Sequence, residues 1–385
     1  MKKVFALTLA VMMVVAMFAG CGSSGASNED PTVVKIGTTG PLTGDYAAYG
    51  TAVEAGMKIA VEEINALGGL QFAFDAEDDE GDGEKAVAGY NTLKDWGMDI
   101  FAGSVTSGAA AAVAAEAVID QMFVLTPSAS AVEVANAGPN VFQMCFTDPN
   151  QGIAAADYVK ANALGTKLAV LYNNSDAYST GIATAFVARA KELGMDIVAE
   201  VTFPDDTNTD FTTQLNEAKA AGADMMFLPI YYTPASLMLA QAKDMGYAPT
   251  FFGADGMDGI LTLEGFDASL AEGLMLMTPF NATATDARTQ NFVKVYTEKF
   301  GTETLNQFAA DGYDCIYAIY EACQKNGITA ESKATDICDK LIATFTSADF
   351  KIDGLTGTGM GWTTAGEISK TPMVVEIVNG AYETK

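Results

Sequence analysis

Residues 33–75 read VVKIGTTGPLTGDYAAYGTAVEAGMKIAVEEINALGGLQFAFD, and their changing hydrophobic period decides the fold class. Val33-Val34-Lys35-Ile36-Gly37-Thr38 is a short, mostly apolar run rich in β-branched residues, as in a buried strand. Across residues 51–66 the period becomes helical, with Val53, Met57, Ala60 and Ile64 on one face and Gly68-Gly69 as the stop. Residues 71–75 return to a strand. Strands joined through a helix of this length need a right-handed crossover and pair in parallel.

Outward from this unit the alternation continues. Helices are expected at 84–96 and 109–120, and strands at 100–102 and 123–125. After Asn150 the pattern restarts: helices at 151–163, 181–193, 211–221 and 234–245, strands at 168–172, 196–201, 225–229 and 250–253. Two similar α/β units thus follow one another. Asp148-Pro149-Asn150 and Pro279-Phe280-Asn281 mark crossings between them. The C-terminal part adds helices at 285–299, 311–325 and 333–346, then a final hairpin from about Trp362 through Met373 to Val378, with its turn at Ala365-Gly366.

Composition agrees. At 385 residues the chain exceeds one ordinary core and suits two domains. Lys and Arg number 21 against 49 Asp and Glu, a formal charge of −28 that repels phosphate backbones, so nucleic-acid binding is not expected. There is no histidine. That removes the usual general base, the Ser-His-Asp and Cys-His constellations and any His-containing zinc site, and it argues against a hydrolase. Asp75-Ala76-Glu77-Asp78-Asp79-Glu80 lacks EF-hand spacing and reads as a solvated turn, so no metal site is expected.

The N-terminus carries an export signal. Lys2-Lys3 precedes an apolar run over residues 4–19, too short to span a membrane and of signal-peptide length. Phe18-Ala19-Gly20-Cys21 resembles a bacterial lipobox. The expectation is a signal peptide at 1–20, a lipidated Cys21 that anchors the chain to the membrane, and a polar tether at 21–31. The alternative is a plain signal peptide with a chance cysteine. Cys145, Cys315, Cys323 and Cys338 contain no CxxC pair. Cys315 and Cys323, eight apart on one helix, stand ~12 Å apart, too far to bridge. A Cys323–Cys338 disulfide remains open.

In open parallel sheets, ligands bind beyond the carboxyl ends of strands. Three such ends are polar. Gly103-Ser104-Val105-Thr106-Ser107-Gly108 opens an Ala-rich helix and offers hydroxyls and free N–H groups, which suit an anion; without a GxxxxGK[ST] pattern, a carboxylate fits better than a nucleotide phosphate. Thr126-Pro127-Ser128-Ala129-Ser130 also places hydroxyls before a helix. Asp255-Gly256 ends a strand of the second unit. Taken singly, Ser107 and the Ser128–Ser130 hydroxyls could be caps, and Asp255-Gly256 a turn. Taken together, anion donors on one unit facing a carboxylate on the other fit a zwitterion.

These residues fall within a wider resemblance. Gly40-Pro41-Leu42-Thr43-Gly44 with Tyr49-Gly50, then AVEEINALGG at 60–69, Leu125-Thr126-Pro127-Ser128-Ala129-Ser130, Asp210-Phe211 with Leu215, and Tyr313-Asp314 follow in the order seen in the Leu/Ile/Val-binding protein family. The resemblance covers about residues 33–380. It implies an α/β fold of two Rossmann-like lobes with parallel sheets and a multi-strand hinge, a type 1 periplasmic binding protein. The lobes would be 32–149 plus 280–368, and 150–279 plus 369–385.

The resemblance also implies roles. Ser107 would take a ligand carboxylate, Ser128 would offer a carbonyl to the ammonium, Ser130 would touch both ends, and Asp255, followed by Gly256, would pair with the ammonium. Tyr49, Tyr178, Phe308 and either Tyr232 or its neighbour Tyr231 would line the side-chain pocket. No cofactor is implied. The partners would be an amino acid and the permease of an ABC importer, with the chain a monomer on the outer face of the cell membrane. A lipobox in place of a free N-terminus points to a Gram-positive host. Two further classes stay open: a sensor of the same fold that binds an amide or small carboxylate, and an enzyme. The enzyme would need a nucleophile–base pair or a dinucleotide loop, and Gly357-Thr358-Gly359-Met360-Gly361 lacks GxGxxG spacing and follows no βα unit.

Overall fold

The structure, a computed structural model, describes residues 33–205 and 209–385. The expected signal peptide, Cys21 and the tether lie outside the described residues.

The opening strand β1 (Val33–Gly40) pairs in parallel with β2 (Gln71–Asp78) on one side and β3 (Ile100–Phe101) on the other. Between β1 and β2 runs α1 (Ala47–Ala66), which starts four residues before the expected position because Tyr46 already takes the cap position. The first unit continues with α2 (Gly83–Trp96), α3 (Ser107–Asp120), β4 (Val124–Thr126), the short α4 (Val132–Ala135) and β5 (Val141–Gln143). Asp82 caps α2 through the Lys85 N–H, and Gly97 ends it at φ 91°. The sheet order is β2-β1-β3-β4-β5.

The second unit repeats this plan with α5 (Asp148–Asn162), β6 (Lys167–Asn173), α6 (Ala177–Glu192), β7 (Asp196–Phe203), α7 (Thr212–Ala220), β8 (Met225–Leu228), α8 (Tyr232–Asp244), β9 (Thr250–Gly253) and β10 (Met275–Thr278). The order β7-β6-β8-β9-β10 has the same winding as the first sheet, and every neighbouring pair in it is parallel. The chain then returns to the first unit with α9 (Ala287–Phe300), α10 (Gln307–Asn326) and α11 (Ala334–Phe345). The α10 helix packs along α1 at short range: a Cβ on Gly56 would lie 1.9 Å from the Ala309 carbonyl oxygen, so this approach requires glycine. The molecule is thus an α/β protein of two lobes with parallel sheets, and the chain passes between them after β5, after β10 and again before β11 (Met373–Val378).

Two expectations change and one open question closes. The terminal hairpin is β11 with β12 (Ala381–Thr384), an antiparallel edge on the second sheet, and it turns at Asn379-Gly380, both at positive φ. Ala365-Gly366 instead closes a small separate loop bridged by Trp362 and Ile368. An Asn-Gly pair between strands is the stronger hairpin signal, because both residues tolerate the left-handed turn. The acidic run at 75–80 is not a solvated turn. It is mostly strand β2, and Asp79 after it is fully buried, its carboxyl pushed up to about 6 by burial. The Asp78 carboxylate binds back to the Leu42 and Thr43 amides and tethers the β1–α1 loop. Finally, Cys323 and Cys338 form no disulfide; both are buried free thiols, as are Cys145 and Cys315.

Candidate functional site

The strand-end loops of both lobes converge on one cavity. On the first lobe Thr106 takes the N-cap of α3 without a side-chain capping bond, so the first amides of this helix, beginning at Ser107, keep no side-chain acceptor. The Ser107 hydroxyl accepts the N–H groups of Ser130 and Ala131, each at 3.2 Å, and its proton stays free to donate. Ser128 donates its hydroxyl to the Val105 carbonyl at 2.7 Å, while its own carbonyl accepts none of the backbone hydrogen bonds of this loop.

On the second lobe Asp255 opens a 3-10 turn (Asp255–Met257) directly after β9. Three neighbours fix it. The Tyr178 hydroxyl donates to its carboxylate at 2.8 Å, the Asp255 N–H donates to the Gln151 side-chain oxygen at 3.1 Å, and the Gln307 amide donates to the Asp255 carbonyl at 3.0 Å. Gly256 sits against the same tyrosine: its N–H donates to the Tyr178 oxygen at 2.8 Å, and a Cβ there would lie 2.6 Å from that oxygen. Tyr49, from α1 of the first lobe, closes the gap by donating its hydroxyl to the Gly256 carbonyl and accepting the Tyr232 N–H at 3.2 Å.

Of the residues singled out in the sequence, Tyr49, Ser107, Ser128, Tyr178, Tyr231, Asp255, Gly256 and Phe308 line this one cavity, joined by Val105 and Thr106. Ser130 and Tyr232 do not line it. Ser130 is fully buried with its hydroxyl unpartnered, and Tyr232 offers its oxygen to the Ala48 amide. Of the two adjacent tyrosines Tyr231 faces the cavity, and its ring stacks on Tyr178 at 4.8 Å. The cavity measures only about 10 Å³, room for about one water. Its aromatic walls fill the space: the Tyr49 ring lies 4.5 Å from Phe308 and 5.7 Å from Tyr231.

Sequence reading passed over Gln151, Gln307 and Asp148. Asp148 and Gln151 share the first turn of α5, the helix that enters the second lobe directly after the Asp148-Pro149-Asn150 crossing, and that position was the available signal. Asp148 is buried with neither carboxylate oxygen partnered, and burial pushes its carboxyl well above the usual range. The nearby Ser130 hydroxyl counters that shift but stands outside hydrogen-bonding geometry, so the two remain orphans.

The electrostatics carry a stability prediction. Burial raises Asp255 to about 6 against the lowering effect of Tyr178 and Gln151; it raises Asp176 to about 6 and Asp311 to about 7. With Asp79, these groups bind protons in the folded state that the unfolded chain releases near pH 4. Their favourable contribution is complete below that pH and is lost as pH rises through 6 to 7. The carboxylates shifted downward, such as Asp224 and Asp286, are exposed and act only below about pH 4. Ligand-free protein therefore melts higher at pH 5 than at pH 7.5. A gain of at least ~2 °C, the response to roughly 1 kcal/mol, is expected by calorimetry, and a lower melting point at pH 5 would contradict these burials.

Two repeated parallel sheets, three chain crossings and a cleft with donors on one wall and a carboxylate on the other define a two-lobed solute-binding protein. The periplasmic binding protein family model matches residues 33–381, and the chain belongs to that family. It is 28% identical over 334 residues to Leu/Ile/Val-binding protein homolog 3 of Brucella melitensis, covering 85% of this chain and 88% of that one. Among solved structures it is similar to a leucine-binding protein from Thermotoga maritima (TM-score 0.82, 25% identity, 92% of this chain and 98% of that one). It is equally similar to the branched-chain amino acid transporter substrate-binding protein of Streptococcus pneumoniae in complex with isoleucine (TM-score 0.81, 28% identity, 91% and 98%). These relatives are binding proteins, not enzymes, of an extracytoplasmic family. Among the described residues no helix is long and apolar enough to cross a membrane.

Proposed function

We propose that the chain captures an α-amino acid with an apolar side chain in this cleft and delivers it to the permease of an ABC importer. The observation that carries the reading is one cavity with the Asp255 carboxylate on one lobe and the Ser107 hydroxyl with its helix amides on the other. The ligand carboxylate would take the Ser107 hydroxyl and N–H at the positive end of α3, where the helix dipole favours an anion. The ammonium would take Asp255 and the Ser128 carbonyl, with the Ser130 hydroxyl and Asp148 behind them. Tyr49, Tyr178, Tyr231 and Phe308 would enclose an apolar side chain, consistent with the isoleucine bound by the Streptococcus relative.

A cavity of about 10 Å³ cannot hold an amino acid, so entry requires the lobes to open about their three crossings, near residues 149, 279 and 368. The Tyr49–Gly256 contact would break on opening and re-form around the ligand. The same reading takes Cys21 as a lipid anchor holding a monomeric receptor to the outer face of a Gram-positive cell membrane.

Titration of ligand-stripped protein with leucine, 4-methylpentanoate and isoamylamine tests the charge pattern. Leucine should bind most tightly, and each analogue lacking one charged end should lose at least about tenfold, the value of one charge-assisted contact. Equal affinity for 4-methylpentanoate and leucine would show that Asp255 meets no ammonium and would sink the zwitterion model.

A further inference from the structure

The cleft does not end at its small inner cavity. Tyr231 and Thr106, which line that cavity, also line a space of about 330 Å³ at the exposed edge between the lobes, and Tyr231 borders a further pocket of about 90 Å³ beside it. The first lobe supplies Tyr46, Gly81 and Gly108 to the larger space; the second supplies Asn173, Asp176 and Asp205. A row of tyrosines leads there from the cleft carboxylate. The Tyr178 hydroxyl binds Asp255, the Tyr178 ring stacks on Tyr231 at 4.8 Å, and Tyr231 meets Tyr46 at 5.0 Å.

The far end of this row is acidic. Asp45 of the first lobe and Asp176 and Asp205 of the second line the smaller pocket together with Tyr46 and Tyr231. Burial pushes the Tyr46 hydroxyl up to about 12, and Asp176, Asp205 and Asp45 each add to the shift, so all three carboxylates lie near it. No lysine or arginine lines either space, and among the described residues none of the three aspartates stands in an ion pair. Asp176 caps α6 through the Ser179 N–H at 2.9 Å, and Asp205 accepts the Asn173 side-chain amide. The Asp45 carboxylate and the Tyr46 hydroxyl have no hydrogen-bond partner among the described residues. Asp45 is exposed and Tyr46 half-buried, so both present surface to the space between the lobes. Three unneutralised carboxylates around tyrosine faces make a potential that favours a cation, and the rings add cation–π attraction.

We infer that the cleft also takes amino acids whose side chain is an unbranched hydrocarbon ending in a cation, of which lysine is the simplest. The inference rests on the zwitterion reading of Ser107 and Asp255 and extends the side-chain wall of that reading outward. The α-ammonium and α-carboxylate sit as they do for an apolar amino acid. The methylenes run along Tyr178 and Tyr231, and the terminal ammonium lies on the Tyr46 face among Asp45, Asp176 and Asp205. The row is two ring-to-ring steps long, so a side chain as short as that of leucine fills its inner part and leaves the acidic end to solvent. A side chain ending in a carboxylate meets only like charge there. Asp45 belongs to one lobe and Asp176 and Asp205 to the other, and in this closed arrangement the Thr233 hydroxyl already donates across the gap to the Asp45 carbonyl at 2.8 Å. A cation among the three carboxylates therefore also ties the lobes together.

Lysine, norleucine and 2-aminoadipate share the α-carbon and differ at the chain end, which is a cation, a methyl group and an anion in turn. Calorimetric titration of each into the ligand-stripped full chain is the test. Lysine should bind about fivefold or more tighter than norleucine, the combined value of a half-exposed charge pair and a cation–π contact, and 2-aminoadipate should bind more weakly than norleucine. Asp45→Asn and Asp176→Asn should each lower the ratio of lysine to norleucine affinity at least about twofold, and the two together should bring it close to one. Asparagine at position 176 can still cap α6. If that variant does not fold, Asp45→Asn, at an exposed carboxylate, decides the matter. If neither lysine nor norleucine binds, the zwitterion reading falls and this inference with it. If norleucine binds and lysine binds no tighter, if 2-aminoadipate matches lysine, or if the ratio is unchanged in the folded variants, the inference alone is overturned and the acidic edge is only a solvated surface.

Discussion

Asp255→Ala is expected to lower amino-acid affinity by roughly 100-fold or more, while the ligand-free protein stays at least as stable as the parent. Truncating one partner of a buried, hydrogen-bonded charge pair costs about 2–5 kcal/mol, because the surviving charge is left desolvated. Here the survivor would be the ligand ammonium, enclosed by Tyr178, Tyr231 and Tyr49. Without ligand the balance is opposite. Asp255 is 3% exposed and raised to about 6 chiefly by burial, so holding it ionised at pH 7.5 costs the empty protein free energy. Asp255→Asn keeps the acceptor for the Tyr178 hydroxyl, removes the charge and should melt as high as the parent or higher, a site held ready at the expense of stability. Calorimetric titration of leucine into both variants, alongside their melting curves, separates the outcomes. Unchanged affinity in Asp255→Ala would remove this carboxylate from the site; lost affinity together with a collapsed melting curve would mark it as structural.

The parts of this molecule that the sequence announces are those governed by local rules. The β1–α1–β2 unit is legible because its apolar period changes from a short run to helical spacing and back, and the second lobe repeats the same signals. Ser107, Ser128 and Asp255 are legible as strand-end polar residues, since open parallel sheets place such loops along one edge. What stays hidden is what only tertiary packing decides. Asp79 and Asp311 look like members of an acidic surface and are buried. Gln151 and Gln307 look like ordinary helix residues and hold Asp255 in place from two lobes. Tyr231 and Tyr232 cannot be told apart by pattern, because the backbone entering α8 sets which ring meets Tyr178. The terminal hairpin was misplaced for a different reason. Its Asn379-Gly380 turn is readable, directly after the apolar run that ends at Val378, but the run can equally be paired with the segment before it at Trp362, across Ala365-Gly366.

Lys370→Met is the substitution with the largest expected effect on stability. Lys370 sits at the third crossing, just before β11, and its ammonium meets the Asp311 carboxylate of α10 at 2.8 Å, with side-chain exposures of 1% and 3%. Asp311 also feels Asp314 and Asp255, and burial lifts it to about 7 even with the lysine beside it. Methionine fills nearly the same space and removes the one charge that, among the described residues, compensates this carboxylate in a direct ion pair. Breaking a buried pair from one side costs about 3–5 kcal/mol, so a clear drop in melting temperature is expected at pH 7.5. The loss should be smaller at pH 5, because Asp311 can then take up a proton; its raised folded-state value makes the neutral form favourable below about 7. The double variant Lys370→Met with Asp311→Leu should recover most of the loss, since an apolar pair of similar volume can replace a buried ion pair at little cost. A parent-like melting temperature for Lys370→Met at pH 7.5 would show that solvent reaches this carboxylate. An equal loss at both pH values, unrelieved in the double variant, would assign the effect to packing at the crossing rather than to the stranded charge. If charge is the cause, the hinge depends on one lysine to neutralise a carboxylate that shares its surroundings with Asp255, and the electrostatics of the crossing and of the cleft are then coupled.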